Sequence, residues 1–161
     1  MLPSTGPLRQ TGGTIFKITR GGVLTTLHSF CAQNNCPDGN QPLAPLVQDT
    51  NGELYGTTIF GGISTACGSP GCGTLFSVSV GLGEFVEPEP SAGTVGTAIN
   101  ILGTAVAGTT AVTFNGTPAT FSVKSTSLIT TTVPAGAKTG EIEVTTPHGT
   151  LKSNVPFRVI E

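Results

Sequence analysis

Glycine and proline recur along this chain so regularly that they decide what it can fold into. There are 23 glycines and 12 prolines, spread over all 161 residues. Proline removes an amide donor and clashes with the preceding helical turn, while glycine costs a helix interior roughly 1 kcal/mol against alanine. No segment is left that could hold a long helix. The polar residues point the same way. Only seven Lys and Arg and nine Asp and Glu are present, so strong helix formers are scarce and Thr, Ser and Asn clothe the surface. β-Branched threonine suits a pleated, half-exposed strand. A hydrophobic content of 37% supplies a core, and the length admits one large domain or two small ones. The expected class is all-β.

The same scarcity of charge limits the partners. With a net charge of −2 and no basic run, the chain lacks the cationic face that displaces counterions from nucleic acid. No apolar stretch approaches the roughly 18 residues of a membrane helix, so membrane insertion is not expected. Residues 1–11 read as extended or disordered. The first residues, MLPSTGPLRQTGG, have neither the basic nor the apolar region of a signal peptide. The expectation is a fragment of a longer secreted protein, located outside the cell or at its surface.

Four cysteines sit as Cys31-x4-Cys36 and Cys67-x4-Cys72, each pair within a Gly/Pro/Asn-rich loop. Four cysteines allow three pairings. Two local bridges, each stapling one loop, are the first choice, and a crossed pairing remains open if the loops are neighbours. Four thiolates could also close a tetrahedron around zinc, but structural zinc sites usually place two residues, and only sometimes as many as four, between paired ligands. Disulfides are preferred, which places the chain in an oxidising compartment. No metal or other cofactor is expected.

Gly13-Thr14-Ile15-Phe16-Lys17-Ile18-Thr19 returns 60 residues later as Gly73-Thr74-Leu75-Phe76-Ser77-Val78-Ser79. Repeats of about this length belong to propeller blades or stacked β units. Between the copies, three strands are read at about Val23–Phe30, Ala44–Gln48 and Leu54–Ile59. The last two are joined by Asp49-Thr50-Asn51-Gly52-Glu53, where Asn51-Gly52 signals a tight turn. Four short strands per repeat make a blade-like antiparallel unit. The segments GGTIFKITRGGVLTTLHSFC, PDGNQPLAPLVQDTNGELYGTTIFGG and GCGTLFSV resemble the GloVer-type tandem repeat of bacterial secreted and surface-anchored proteins over residues 12–80. That resemblance implies an exported repeat array without a known catalytic motif. Residues 12–82 hold one unit plus the first strand of the next, too little for a closed ring.

Residues 83–90 read as a linker, with Pro88 and Pro90 breaking regular structure. Beyond it, Thr97–Gly103, Ala111–Phe114, Ala119–Val123, Leu128–Val133, Gly140–Thr145 and Val155–Ile160 alternate apolar and polar residues at period two. Turn signals at Asn115-Gly116, Pro134-Ala135-Gly136 and Pro147-His148-Gly149 separate them. Short strands so spaced describe a sandwich of about seven strands. The elements Val95–Gly103, Val112–Phe121, Val133–Gly140 and Val144–Gly149 resemble the IPT/TIG type of immunoglobulin-like domain. The resemblance spans residues 91–160 of a domain placed at 91–161.

Candidate chemistry is thin. Glu141 and Glu143 lie two apart on a strand and share a face, with Ile142 and Val144 turned to the core. Their carboxyls could approach the spacing of an inverting glycosidase, although charge on a solvent-facing strand also serves to prevent edge pairing. His28 and Ser29 are adjacent, so they point to opposite sides and form no dyad, and no G-x-S-x-G elbow occurs. Asp49, Asn51 and Glu53 superficially match a calcium loop, but Gly52 falls two positions early. Sugars stack on aromatic faces; with no Trp and one Tyr, Tyr55 and Phe60 are the platform available. The reading is a non-catalytic structural, adhesive or interaction module, with polysaccharide or cell-surface components as partners. The alternative is a polysaccharide-active protein, either a carbohydrate-binding module or a small glucanase-like hydrolase using Asp38, Asp49, Glu141 or Glu143. Unpaired strand edges in the N-terminal repeat also lead us to expect a homo-oligomer.

Overall fold

The computed structural model describes residues 12–64, 66–68 and 71–161; the expectation for residues 1–11 lies outside these. The chain divides into two compact units, one reaching to Gln48 and including Leu54–Ser79, the other comprising Asp49–Glu53 and Val80–Glu161. Every regular element described is a β-strand, so the all-β class is what the chain adopts.

In the first unit, β1 (Gly13–Ile18) pairs antiparallel with β2 (Leu24–Phe30), and β3 (Val47–Gln48), β4 (Leu54–Thr57) and β5 (Leu75–Val78) form a sheet in that order. The strand expected over Ala44–Gln48 shortens to β3, since Pro45 has no amide for a ladder. The β3–β4 connection is also not the two-residue turn its Asn-Gly pair signals. Asn51 keeps a negative φ, Gly52 alone turns left-handed at φ 84°, and Gly52 N–H donates to the Asp49 carbonyl at 2.9 Å. The Asn51 side chain is occupied instead, its Oδ1 accepting the Glu53 amide at 2.8 Å. This is the three-residue hairpin loop closed by a left-handed glycine.

Little apolar surface is buried in this unit. Among the described residues its buried apolar side chains are Ile15, Phe30 and Cys36. Close backbone packing and hydroxyl bonds supplement them. Thr58 and Thr74 meet hydroxyl to hydroxyl at 3.0 Å, Thr74 N–H donates to Thr58 Oγ1 at 2.9 Å, and Thr74 Oγ1 donates to the Asp38 carbonyl at 3.2 Å. Gly39, at φ 105°, lies against both threonines, where a Cβ would strike their hydroxyls. Two local disulfides complete the unit, Cys31–Cys36 with Cα atoms 4.1 Å apart and Cys67–Cys72 with 5.2 Å. No thiol is left to bind zinc, so the zinc alternative falls.

The second unit is a two-sheet sandwich. Its strands are β6 (Val86–Glu89), β7 (Ala92–Gly93), β8 (Ala98–Gly103), β9 (Ala111–Phe114), β10 (Thr117–Pro118), β11 (Phe121–Val123), β12 (Leu128–Thr132), β13 (Ile142–Thr146), β14 (Gly149–Lys152) and β15 (Arg158–Val159). One sheet runs β10-β9-β13-β14, the other β11-β12-β8-β6, and β15 pairs in parallel with β7. Period-two alternation puts Ile99 and Ile101, Val112 and Phe114, and Ile142 and Val144 inward, each at most 2% exposed. They close over Val86, Val106, Ile129, Val133 and Phe157, with the Phe114 and Phe157 rings edge to face at 5.1 Å. Asn115 and Gly116 both take positive φ and join β9 to β10, the two-residue turn their sequence signals.

The linker reading of residues 83–90 gives way at Val86–Glu89, which is strand β6, antiparallel to β8. Pro88 fits because β6 is an edge. The Val86 carbonyl accepts the Asn154 amide at 3.1 Å, away from β8. Two residues on, the nitrogen of Pro88 faces off the same side, where no amide is needed.

Truncating Phe157 to Ala in this closed core is expected to cost roughly 3–5 kcal/mol, read as a lowered midpoint in urea. Reducing the disulfides is expected to destabilise the first unit by about 2 kcal/mol per bridge and leave the sandwich midpoint unchanged. Denaturation followed by residue-resolved hydrogen exchange, with and without reductant, separates the two effects.

Candidate functional site

The sequence nominates four carboxylates and two aromatics, and each lies in a well-defined local setting. Glu143 stands on β13 and Glu141 immediately before it, while Lys152 comes from the neighbouring strand β14. The Lys152 ammonium lies 2.9 Å from Glu141 Oε2 and 3.2 Å from Glu143 Oε1. One lysine therefore holds both acids on the solvent face. Hydrogen bonds that Lys152 donates to Glu141, then to Glu143, raise its pKa above the ordinary value. A hydrolytic pair needs a proton donor facing a base across a substrate gap. Here the space between the carboxylates is occupied by a cation. Lys152 is the partner that the alternation pattern does not reveal, because β14 carries only a weak strand signal in the sequence.

Asp49 serves its own turn, with Oδ1 accepting the Thr50 amide at 2.7 Å. Tyr55 is half-buried on β4, beside Ser77 of β5. It points away from the face on which Gly56 receives Phe76 and Leu46. Phe60 lies outside the strands, where its backbone pairs with Asn40 at 2.8 and 3.1 Å.

Asp38 is placed differently. It borders an open groove of about 510 Å³ lined by Ile15, Leu27, His28, Phe30 and the whole of β5 with its flanks, Thr74–Ser79. Its Oδ2 meets His28 Nε2 at 3.0 Å, while Oδ1 accepts the Cys31 amide at 3.1 Å, fixing the carboxylate to the first disulfide loop. His28 and Phe30, two apart on β2, share a face and touch edge to face at 4.5 Å. Phe30 in turn meets Phe76 at 4.9 Å. An aromatic floor with one imidazole–carboxylate pair at its side can hold a partly apolar ligand and bond its hydroxyls or amides. The phenyl rings that line it are Phe30 and Phe76; Tyr55 and Phe60 do not border this groove. Period two alone would have put His28 and Phe30 together; the approach of Phe76 depends on how the strands pack.

Replacing Glu141 and Glu143 together by Gln is expected to bring the Lys152 titration midpoint down toward 10.5. With the wild-type pairing, any stabilisation is complete below that pH and fades as pH rises through the raised value. Carbon-13 titration of the Lys152 side chain reads the change directly.

No curated protein matches the chain. Among solved structures, SGBP-B from a complex xyloglucan utilization locus in Bacteroides uniformis is similar at 14% identity and a TM-score of 0.39. That match covers 89% of this chain and 35% of that one. The chain thus spans about a third of the length of that structure, a likeness too remote to carry an argument. The family model of the IPT/TIG domain matches residues 86–159, starting with β6 rather than at residue 91. Two packed antiparallel sheets with a continuous core occupy the same residues that match this family.

Proposed function

We propose that the chain is a non-catalytic module of an exported bacterial protein, with an adhesive or interaction role at the cell surface. One observation carries this reading: the ionisable groups nominated for chemistry are bound to local structural partners. Lys152 spans Glu141 and Glu143, and Asp38 braces a disulfide loop while holding His28. The two disulfides favour an oxidising compartment. No helix among the described residues is long and apolar enough to cross a membrane. We read residues 12–82 as one GloVer-type unit with the first strand of the next, and the sandwich as its companion domain.

The groove favours a second reading, in which the ligand is a polysaccharide. The Phe76 ring offers a face for sugar C–H groups, and Asp38 and His28 offer bonds to hydroxyls beside it.

Calorimetric titration with a panel of soluble glucans, run beside a reducing-end assay, tests both. Heat that disappears in Phe76→Ala, with no new reducing ends, supports a carbohydrate-binding module. Absence of heat leaves the protein-interaction role. New ends that vanish in Asp38→Asn or in Glu141→Gln overturn the non-catalytic reading.

A further inference from the structure

β1 and β5 carry the two copies of the repeated segment, yet they are paired along opposite edges. On β1, Thr19 N–H donates to the Val23 carbonyl at 2.9 Å. Backbone alternation then turns Ile15, Lys17 and Thr19 toward β2 and Phe16 and Ile18 away. The irregularity between Ile15 and Phe16 leaves Leu27 of β2 unpaired and does not disturb this alternation on β1. On β5, the Thr74 carbonyl accepts the Thr58 amide at 2.9 Å, so Thr74, Phe76 and Val78 turn toward β4. Leu75, Ser77 and Ser79, which match Ile15, Lys17 and Thr19 in the repeat, turn to the other edge. Among the described residues no strand pairs with that edge.

Exposure follows the same complementarity. Ile15, on the copy that has a β2 beside it, is 8% exposed, whereas its counterpart Leu75 is 74% exposed. Phe76, on the copy that has a β4 beside it, is partly buried against Gly56, whereas its counterpart Phe16 is 54% exposed. Each copy shows what the other lacks. The groove beside His28 and Phe30 runs along the unpaired edge, lined by Thr74–Ser79.

We infer that the free edge of β5 is a docking site for an extended segment of the Leu24–Phe30 type, supplied by a further repeat unit. It would add antiparallel to β5 as β2 adds to β1, turning the order β3-β4-β5 into a four-stranded sheet. The outward amides and carbonyls of Leu75, Ser77 and Ser79 would supply the main-chain bonds, and Leu75 would be covered as Ile15 is. This rests on reading residues 12–82 as part of a repeat array.

The test is binding of a peptide with the sequence of Gly22–Phe30 to the full chain, followed by calorimetry and amide hydrogen exchange. Saturable one-to-one binding is expected, with slowed exchange at Leu75, Ser77 and Ser79. Ser77→Pro removes an outward amide without touching the β4 ladder and is expected to weaken binding at least about tenfold, while Ser77→Ala leaves it unchanged. Exchange in the wild-type chain keeps the test independent of how the proline variant folds. No binding, protection confined to other strands, or a dimer that occupies the β5 edge with a second β5 each overturn the inference. Heat with glucans is measured on the same protein without the peptide, so failure here is distinguishable from failure of the binding-module reading.

Discussion

The seam where the two sheets of the C-terminal sandwich close on one another is the contact on which that unit depends. Phe114 from one sheet meets Phe157 edge to face, and Ile99, Ile101, Ile129, Ile142 and Val144 fill the space around them, each at most 1% exposed. At roughly 25 cal/mol per Å² of apolar surface removed from water, such a seam supplies the dominant favourable term for folding. Close packing then makes it intolerant of lost volume. The loops inherit this rigidity. Ser153 shows how far it extends: its hydroxyl accepts the Ile142 amide at 3.0 Å and donates to the Val155 carbonyl at 2.7 Å, holding the chain as β14 ends.

The N-terminal unit is held by different means. Its few buried side chains cannot match such a seam, and Leu43, Val47, Ile63 and Leu75 stand largely in solvent. Threonine hydroxyls, glycines that let backbones touch, and two covalent bridges compensate locally. A unit built this way can keep its loops ordered while its sheets remain short. Its surface is correspondingly rich in edges and apolar side chains, and thereby suited to association.

Much of the sandwich is legible from alternation alone. Ile142 and Val144 face inward, and Asn115-Gly116 makes its turn, because both signals are local and agree with the global fold. β6 is not legible. Two prolines within Val86–Pro90 argue against a strand unless the strand is known to lie at an edge, and edge position is a property of the assembled sheet. The Asn51-Gly52 loop misleads for a related reason, since the Asn51 side chain has a competing bond to the Glu53 amide. The groove is the least legible feature. His28 and Phe30 are neighbours by periodicity, but Phe76 reaches them only through packing between strands distant in sequence. Tyr55 and Phe60 draw attention by residue type, which says nothing about where a ring points.

The cysteines carry one more consequence. Each bridge joins residues five apart in sequence, so each partner is within reach before any sheet has formed. Oxidation of this segment therefore requires no tertiary template. A nascent chain crossing into an oxidising space can acquire both links as it emerges, and errors of pairing are disfavoured by sheer proximity.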